Sequence, residues 1–211
     1  MSSQKLFLGV TVGRRNNWEQ FFNEPAATRA TKPESVAKEI EEKREKRNQI
    51  AHFWPVAGTV STCVILDQEG KEVFSAAGGF SVKEGEVSHQ AFMLLHQLIG
   101  EEPLTSIPLF GFSIRDRIRL MALDALRYIN TQPNVETIPS RLWLHRAFEN
   151  GPWADPCDLL IPSDLRNDIS WSGLCDFLNI TVPDRANLDT DATLQAELSR
   201  QIAIKAGILD F

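Results

Sequence analysis

The side chains in this sequence that could do chemistry are its arginines, tryptophans, histidines and cysteines, and their spacing narrows the choice. Arg115, Arg117 and Arg119, with Arg127 beyond them, could line a groove and contact phosphates. Alternation around an amphipathic helix gives the same pattern, and solvated arginines are the simpler explanation. Arg14 and Arg15 add a second basic pair directly after the first apolar run. Trp18, Trp54, Trp143, Trp153 and Trp171 could stack on bases in a single-strand channel, although most are expected as core or anchor residues. His52, His89, His96 and His145 show no metal-ligand spacing. Cys63, Cys157 and Cys175 are odd in number and far apart, which gives neither a zinc pattern nor a disulfide framework. Gly78-Gly79 and Gly111 lack phosphate-loop spacing, and neither a Gly-x-Ser-x-Gly elbow nor a Cys/His pairing suggests nucleophilic catalysis.

Composition sets the frame for these residues. The net charge of -6 and pI near 5.3 argue against a protein whose main affinity comes from neutralising many phosphates, while leaving room for a local basic patch. At 211 residues the chain suits one well-buried domain, and its 43% hydrophobic and 24% charged content is that of a globular protein. Reduced, buried thiols, no apolar run of membrane-spanning length and a first run too short for a signal-peptide core lead to the expectation of a cytoplasmic protein with no membrane partner.

The elements that must position any site follow from hydrophobic periodicity. Leu6 to Gly13 is short, rich in β-branched and aromatic residues and closed by a glycine, so it is expected to be a central strand. An irregular excursion over 16–50 contains a charged helix from Pro33 to Asn48 with a narrow apolar stripe of Val36, Ala37 and Ile40. Val56 to Leu66 and Val73 to Phe80 form a hairpin around Gly70. A helix from Val87 stops at Gly100, a strand spans Leu109 to Phe112, and Ser113 opens a second strong helix ending near Ile129. The part from 113 to 211 is helix-rich, with short helices over Ser140 to Phe148 and Ser170 to Leu178, an apolar link over Cys157 to Leu160, and a closing helix over Asp191 to Leu209. Sheet first and helices after make an α/β or α+β domain.

Taken together, several segments resemble the DEDD-type 3′-5′ exonucleases of the ribonuclease H-like superfamily, especially the group described as predicted polymerase-B-like exonucleases. The strand Leu6-Phe-Leu-Gly-Val-Thr-Val12 is similar to that family's opening strand, and Lys32 to Arg44 to its charged helix. His52 to Val60 resembles the link into its second strand. Leu109-Phe-Gly-Phe-Ser-Ile-Arg-Asp116 is similar to the turn that delivers its second aspartate. Trp153 to Leu160 and Leu174 to Pro183 resemble its later segments, so that the likeness spans most of the chain. It implies an α/β fold with a ribonuclease H-like mixed sheet and flanking helices, in a single exonuclease-like domain over 1–211. It also implies Mg²⁺ or Mn²⁺ as cofactor, because two cations about 4 Å apart, held by converging carboxylates, generate hydroxide and stabilise the leaving oxygen.

The carry-over departs from the family where it matters most. The first-strand Asp and Glu fall at Gly9 and Thr11, which share a strand face because they are two residues apart. The second aspartate falls at Asp116, and the last Tyr and Asp fall at Ala203 and Gly207. Asp116 is a metal position by resemblance, yet three residues after Ser113 it could equally complete a capping-box-like arrangement. Asp155 and Asp158 sit in a Pro-rich link where Asp commonly organises turns or caps; Asp158 is the second metal candidate. The leading expectation is a catalytically impaired exonuclease-like protein, without a cofactor, that binds single-stranded nucleic acid through Arg14, Arg15, Arg115, Arg117 and Arg119 or scaffolds a protein partner. The alternatives are an active Mg²⁺- or Mn²⁺-dependent exonuclease that combines Asp116 with Asp155, Asp158, Asp189 or Asp191, and a purely protein-interacting subunit.

Overall fold

The computed structural model describes residues 5–14, 31–51, 58–79, 82–99, 109–132, 140, 143–144, 151–161, 170–182 and 185–208. Strand β1, Leu6–Arg14, alternates its side chains between two apolar layers, which is why its sequence is apolar at nearly every position. Leu6, Leu8 and Val10 enter one core, and Phe7 enters the other. Antiparallel to β1 runs β2, Gly58–Asp67, and antiparallel to β2 runs β3, Glu72–Ala77. The turn between them is organised by Asp67, whose Oδ1 accepts from the Glu69 and Lys71 backbone N–H groups, with Gly70 at φ 82°.

Helix α1, Pro33–Ala51, is the charged helix of the excursion; residues 15–30 lie outside the described residues, Arg15 among them. Helix α2, Glu86–Ile99, and helix α3, Ile114–Thr131, cover one face of the sheet. Ala91, Phe92 and Leu95 of α2 meet Ile118, Met121, Ala122 and Ala125 of α3 there, over Leu6, Leu8 and Ile65. Between these helices β4 is shorter than expected, Leu109–Phe110, because Gly111 and Phe112 turn away toward α3. The apolar link at Cys157 is instead a strand and a helix: β5, Trp153–Ala154, runs into the short α4, Pro156–Leu160, with Pro156 at its first position. Helix α5, Trp171–Phe177, a 3₁₀ turn over Arg185–Thr190 and helix α6, Ala192–Lys205, complete the described chain.

The result is a mixed five-stranded sheet in the order β3-β2-β1-β4-β5, in which β1, β4 and β5 are parallel. Because β2 and β3 each reverse direction, β2 alone runs against the others. Helix α6 lies on the face opposite α2 and α3 and has two buried sides. Leu198 and Ile202 join Leu174, Cys175 and Ile180, while Ala192, Ala196 and Ala203 press onto the sheet beside Phe7 and Phe110. Its outer end is tied to the β2–β3 turn by Arg200, which donates to the Gln68 carbonyl at 3.1 Å and forks onto Glu197. The guanidinium holds the Glu197 carboxyl below its ordinary range. No helix among the described residues is long and apolar enough to cross a membrane.

Candidate functional site

Open parallel sheets bind ligands outside the carboxyl ends of their strands, where successive connections leave in opposite directions. Here that point lies between β1, whose chain continues to β2 on one side, and β4 on the other. Strand β1 outruns β4, pairing with it only from Leu6 to Phe7, so the β4-side edge of its second half needs another partner. Helix α6 supplies it. The Gln195 Oε1 accepts from the Val10 N–H at 2.9 Å, and its Nε2 donates to the Leu188 carbonyl at 2.8 Å, so one buried amide joins strand, 3₁₀ turn and helix.

Gly9 lies beside this plug and points at the first turn of α6. A Cβ there would collide with the Ala192 carbonyl oxygen and stand 2.9 Å from the Ala196 backbone nitrogen. Those two atoms are a helical C=O and N–H one turn apart, so a side chain at position 9 would enter the helix backbone itself. Thr11, two residues on, is buried near the point where the β1–β2 register shifts. The α6 residues that face Gly9 are Ala192 and Ala196, whereas Ala203 is buried further along toward Phe7. Gly207 is exposed beyond the helix end at φ 69°, a left-handed position that favours glycine.

Asp116 is exposed on the first turn of α3, a helix that packs on the opposite face of the sheet from Gly9, so the expectation that side chains at positions 9 and 11 point toward Asp116 is corrected, and the residue-by-residue likeness to the exonucleases weakens with it. The structure brings it together with Asp155 and Asp158 in an open depression completed by Ser113, Ile114 and Arg115. Asp155 is committed to structure: Oδ1 accepts from the Cys157 N–H at 2.8 Å and Oδ2 from the Ser113 N–H at 2.6 Å. It caps α4 and holds Ser113 at φ 47°. Burial raises its carboxyl pKa, and the two backbone N–H donors oppose that rise. Ser113 makes no side-chain cap bond, so the capping-box role for Asp116 is corrected: the N–H of residue 116 bonds the Ser113 carbonyl, and Asp155 organises the turn. With three carboxylates against one guanidinium, the depression disfavours phosphate.

Arg117 is half-buried beside Asp189 of the 3₁₀ turn and Asp116. Burial pulls its pKa below the ordinary value, and the two carboxylates push the other way. Arg115 and Arg119 are exposed, and Arg14 ends β1. Of the described tryptophans, Trp143 is buried against Phe92 and His96, and Trp171 packs on Phe112, as anchors do. Trp18, Trp54, His52 and His145 lie outside the described residues.

At positions 9 and 11, where the resemblance places the first two carboxylates, the residues present do not fit a two-metal centre. The direction in which a side chain at position 9 would project is closed by helix backbone, Thr11 offers a hydroxyl, and among the described residues no three His, Cys, Asp or Glu side chains converge to hold a metal ion.

One acid escaped sequence reading altogether. Asp124, on α3, is wholly buried, and its Oδ2 accepts from the Val60 N–H, the Thr59 hydroxyl and the Ser88 hydroxyl at 3.0, 3.0 and 3.1 Å. It ties the start of β2 and the first turn of α2 to α3. Burial raises its pKa; the three donors and the Arg127 charge oppose this. The only signal was an acid amid the apolar stripe of a strong helix, since its partners lie 36 to 65 residues away. Searches of family models, of curated proteins and of solved structures found no match to this chain.

Proposed function

We propose that this chain is a ribonuclease H-like domain related to the DEDD 3′-5′ exonucleases that has lost metal-dependent catalysis and works as a binding or scaffolding module. The fold part of this reading is supported by a mixed sheet built as strand, excursion, hairpin, helix, strand and helix, with parallel strands beside β1. The functional part rests on one observation: the crevice between β1 and β4 is filled by Gln195 and by the backbone of α6 packed onto Gly9. A carboxylate at position 9 and that helix position are mutually exclusive, so the packing that stabilises the domain occupies the volume that metal chemistry would need. The partner is nucleic acid or protein. The net charge of -6 and the acidic depression favour protein; of the arginines expected to contact phosphate, Arg115 and Arg119 are exposed.

Two titrations test this. Mn²⁺ followed by its EPR signal is expected to show no site tighter than about millimolar, the weak end of oxygen-ligand sites. Labelled single-stranded DNA and RNA, followed by anisotropy at low salt, test the partner class: binding that weakens with salt and with Arg115→Ala/Arg119→Ala identifies nucleic acid, and no binding favours the protein-interacting class. A tight Mn²⁺ site lost in Asp116→Ala would instead favour the active-nuclease alternative, whose support is the meeting of Asp116, Asp155 and Asp158.

A further inference from the structure

Two of the three cysteines meet beside α6. Cys157, the second residue of α4, is half-buried, Cys175 on α5 is wholly buried, and Cys157 packs against the apolar cluster that holds Cys175. The Phe112 ring packs on Trp171 at the start of α5, with centroids 5.7 Å apart, and Cys175 lies one turn further along the same face of that helix. Phe112 precedes Ser113, whose N–H is held by the Asp155 carboxylate that also caps α4 at the Cys157 N–H. The segment 112–113 therefore seats both helices, and the two thiols stand close enough for the charge of one to disfavour ionisation of the other. Cys63 belongs to the opposite layer, on β2 in the core under α2 and α3.

We infer that Cys157 and Cys175 form a reversible disulfide that fastens α4 to α5, with a low-molecular-weight disulfide such as glutathione disulfide as the oxidant. The Cys157 thiolate attacks one sulfur of the oxidant, which breaks its S–S bond and expels one thiolate. The Cys175 thiolate then attacks the Cys157 sulfur of this mixed disulfide, forming the internal bond and expelling the second thiolate. Two protein thiols are oxidised, one external disulfide is reduced to two thiols, and the two protons pass to the expelled thiolates. Cys157 reacts first because Cys175 has no exposed surface. Burial and the neighbouring Asp155 carboxylate push the Cys157 thiol up to about 12, so it is protonated and slow at neutral pH. The bond fixes the position of α4, whose cap Asp155 and whose Asp158 line the depression beside α3.

Incubation of the folded chain with glutathione disulfide, followed by alkylation of the remaining thiols, digestion and mass spectrometry, tests this. The expected product is a linked pair of peptides carrying Cys157 and Cys175, with Cys63 as the alkylated thiol and a rate that rises about tenfold per pH unit, as the thiolate fraction does. Cys175→Ser is expected to stop at the glutathione adduct on Cys157, and Cys157→Ser to leave the buried Cys63 and Cys175 unreacted. The oxidised chain should unfold at a higher urea concentration than the reduced chain, a shift that dithiothreitol removes and that Cys175→Ser lacks. A lasting glutathione adduct on Cys157 of the unsubstituted chain, a bond that includes Cys63 or joins two chains, alkylation of all three thiols at every pH, or equal urea midpoints for the oxidised and reduced chains overturns the inference, whatever the outcome of the metal and nucleic-acid titrations.

Discussion

At Gly9 the missing side chain is a packing requirement. Even a methyl group there enters the Ala192–Ala196 turn, and overpacking of this kind costs about 1–3 kcal/mol. Gly9→Ala is therefore expected to lower stability by that amount in urea unfolding, and Gly9→Asp by more, since a buried charge is added. Gly79→Ala is the control: nothing lies near its Cβ position, and the change should stay within about 0.5 kcal/mol. Gly9→Asp combined with Thr11→Glu is thus expected to displace α6 before it can build a metal site. At Asp124 the raised pKa means that the folded state binds the proton more tightly than the unfolded state. Its stabilising contribution is then complete below the unfolded value of about 3.9 and is lost as pH rises through the folded value. Unfolding free energies measured from pH 3 upward should show Asp124→Asn gaining on the native protein as pH rises. Asp124→Ala, which leaves three donors without an acceptor, should cost about 3 kcal/mol at neutral pH. The residue types at 9 and 124 were plain in the sequence; their neighbours, brought from α6 and β2, were not, because each contact joins segments distant along the chain.

Among the elements, α6 carries most of the account. Its Leu198 and Ile202 stripe was legible from helical periodicity. The alanine side that contacts β1 was not, because alanine is neutral to periodicity and gains its meaning only from the glycine it faces. Gln195 shows the same limit, since a polar residue inside an apolar pattern reads as surface until its partners are known. Gln195→Met retains the shape but leaves the Val10 N–H buried and unpaired and takes one of two donors from the Leu188 carbonyl, and should cost about 1–3 kcal/mol by the same unfolding measurement. At the start of α3, Ser113 holds a left-handed conformation that costs a non-glycine residue about 1–2 kcal/mol. Ser113→Gly should stabilise by about 1 kcal/mol, while Asp155→Ala, which removes the acceptor for two backbone N–H groups, should destabilise by about 2 kcal/mol. The hairpin, α2 and α3 followed from turn residues and apolar spacing. The two-residue strands β4 and β5 did not, because strands that short are defined by the neighbours they pair with.

For the whole molecule, the mixed sheet with helices on both faces emerges from an order of elements already visible in the sequence, and β1 sits at its centre as its apolar composition required. What composition could not reveal is how the crevice beside β1 is used. In this chain a glycine, two alanines and one glutamine close it with backbone and amide. On the function proposed above, this closure is expected to prevent two-metal hydrolysis. Incubation of the purified chain with end-labelled single-stranded DNA and RNA in Mg²⁺ and in Mn²⁺, against EDTA, tests it most directly. The account predicts no shortening of either substrate beyond the EDTA control, and the same for Asp116→Ala. Stepwise 3′-end shortening that EDTA and Asp116→Ala both abolish would contradict it.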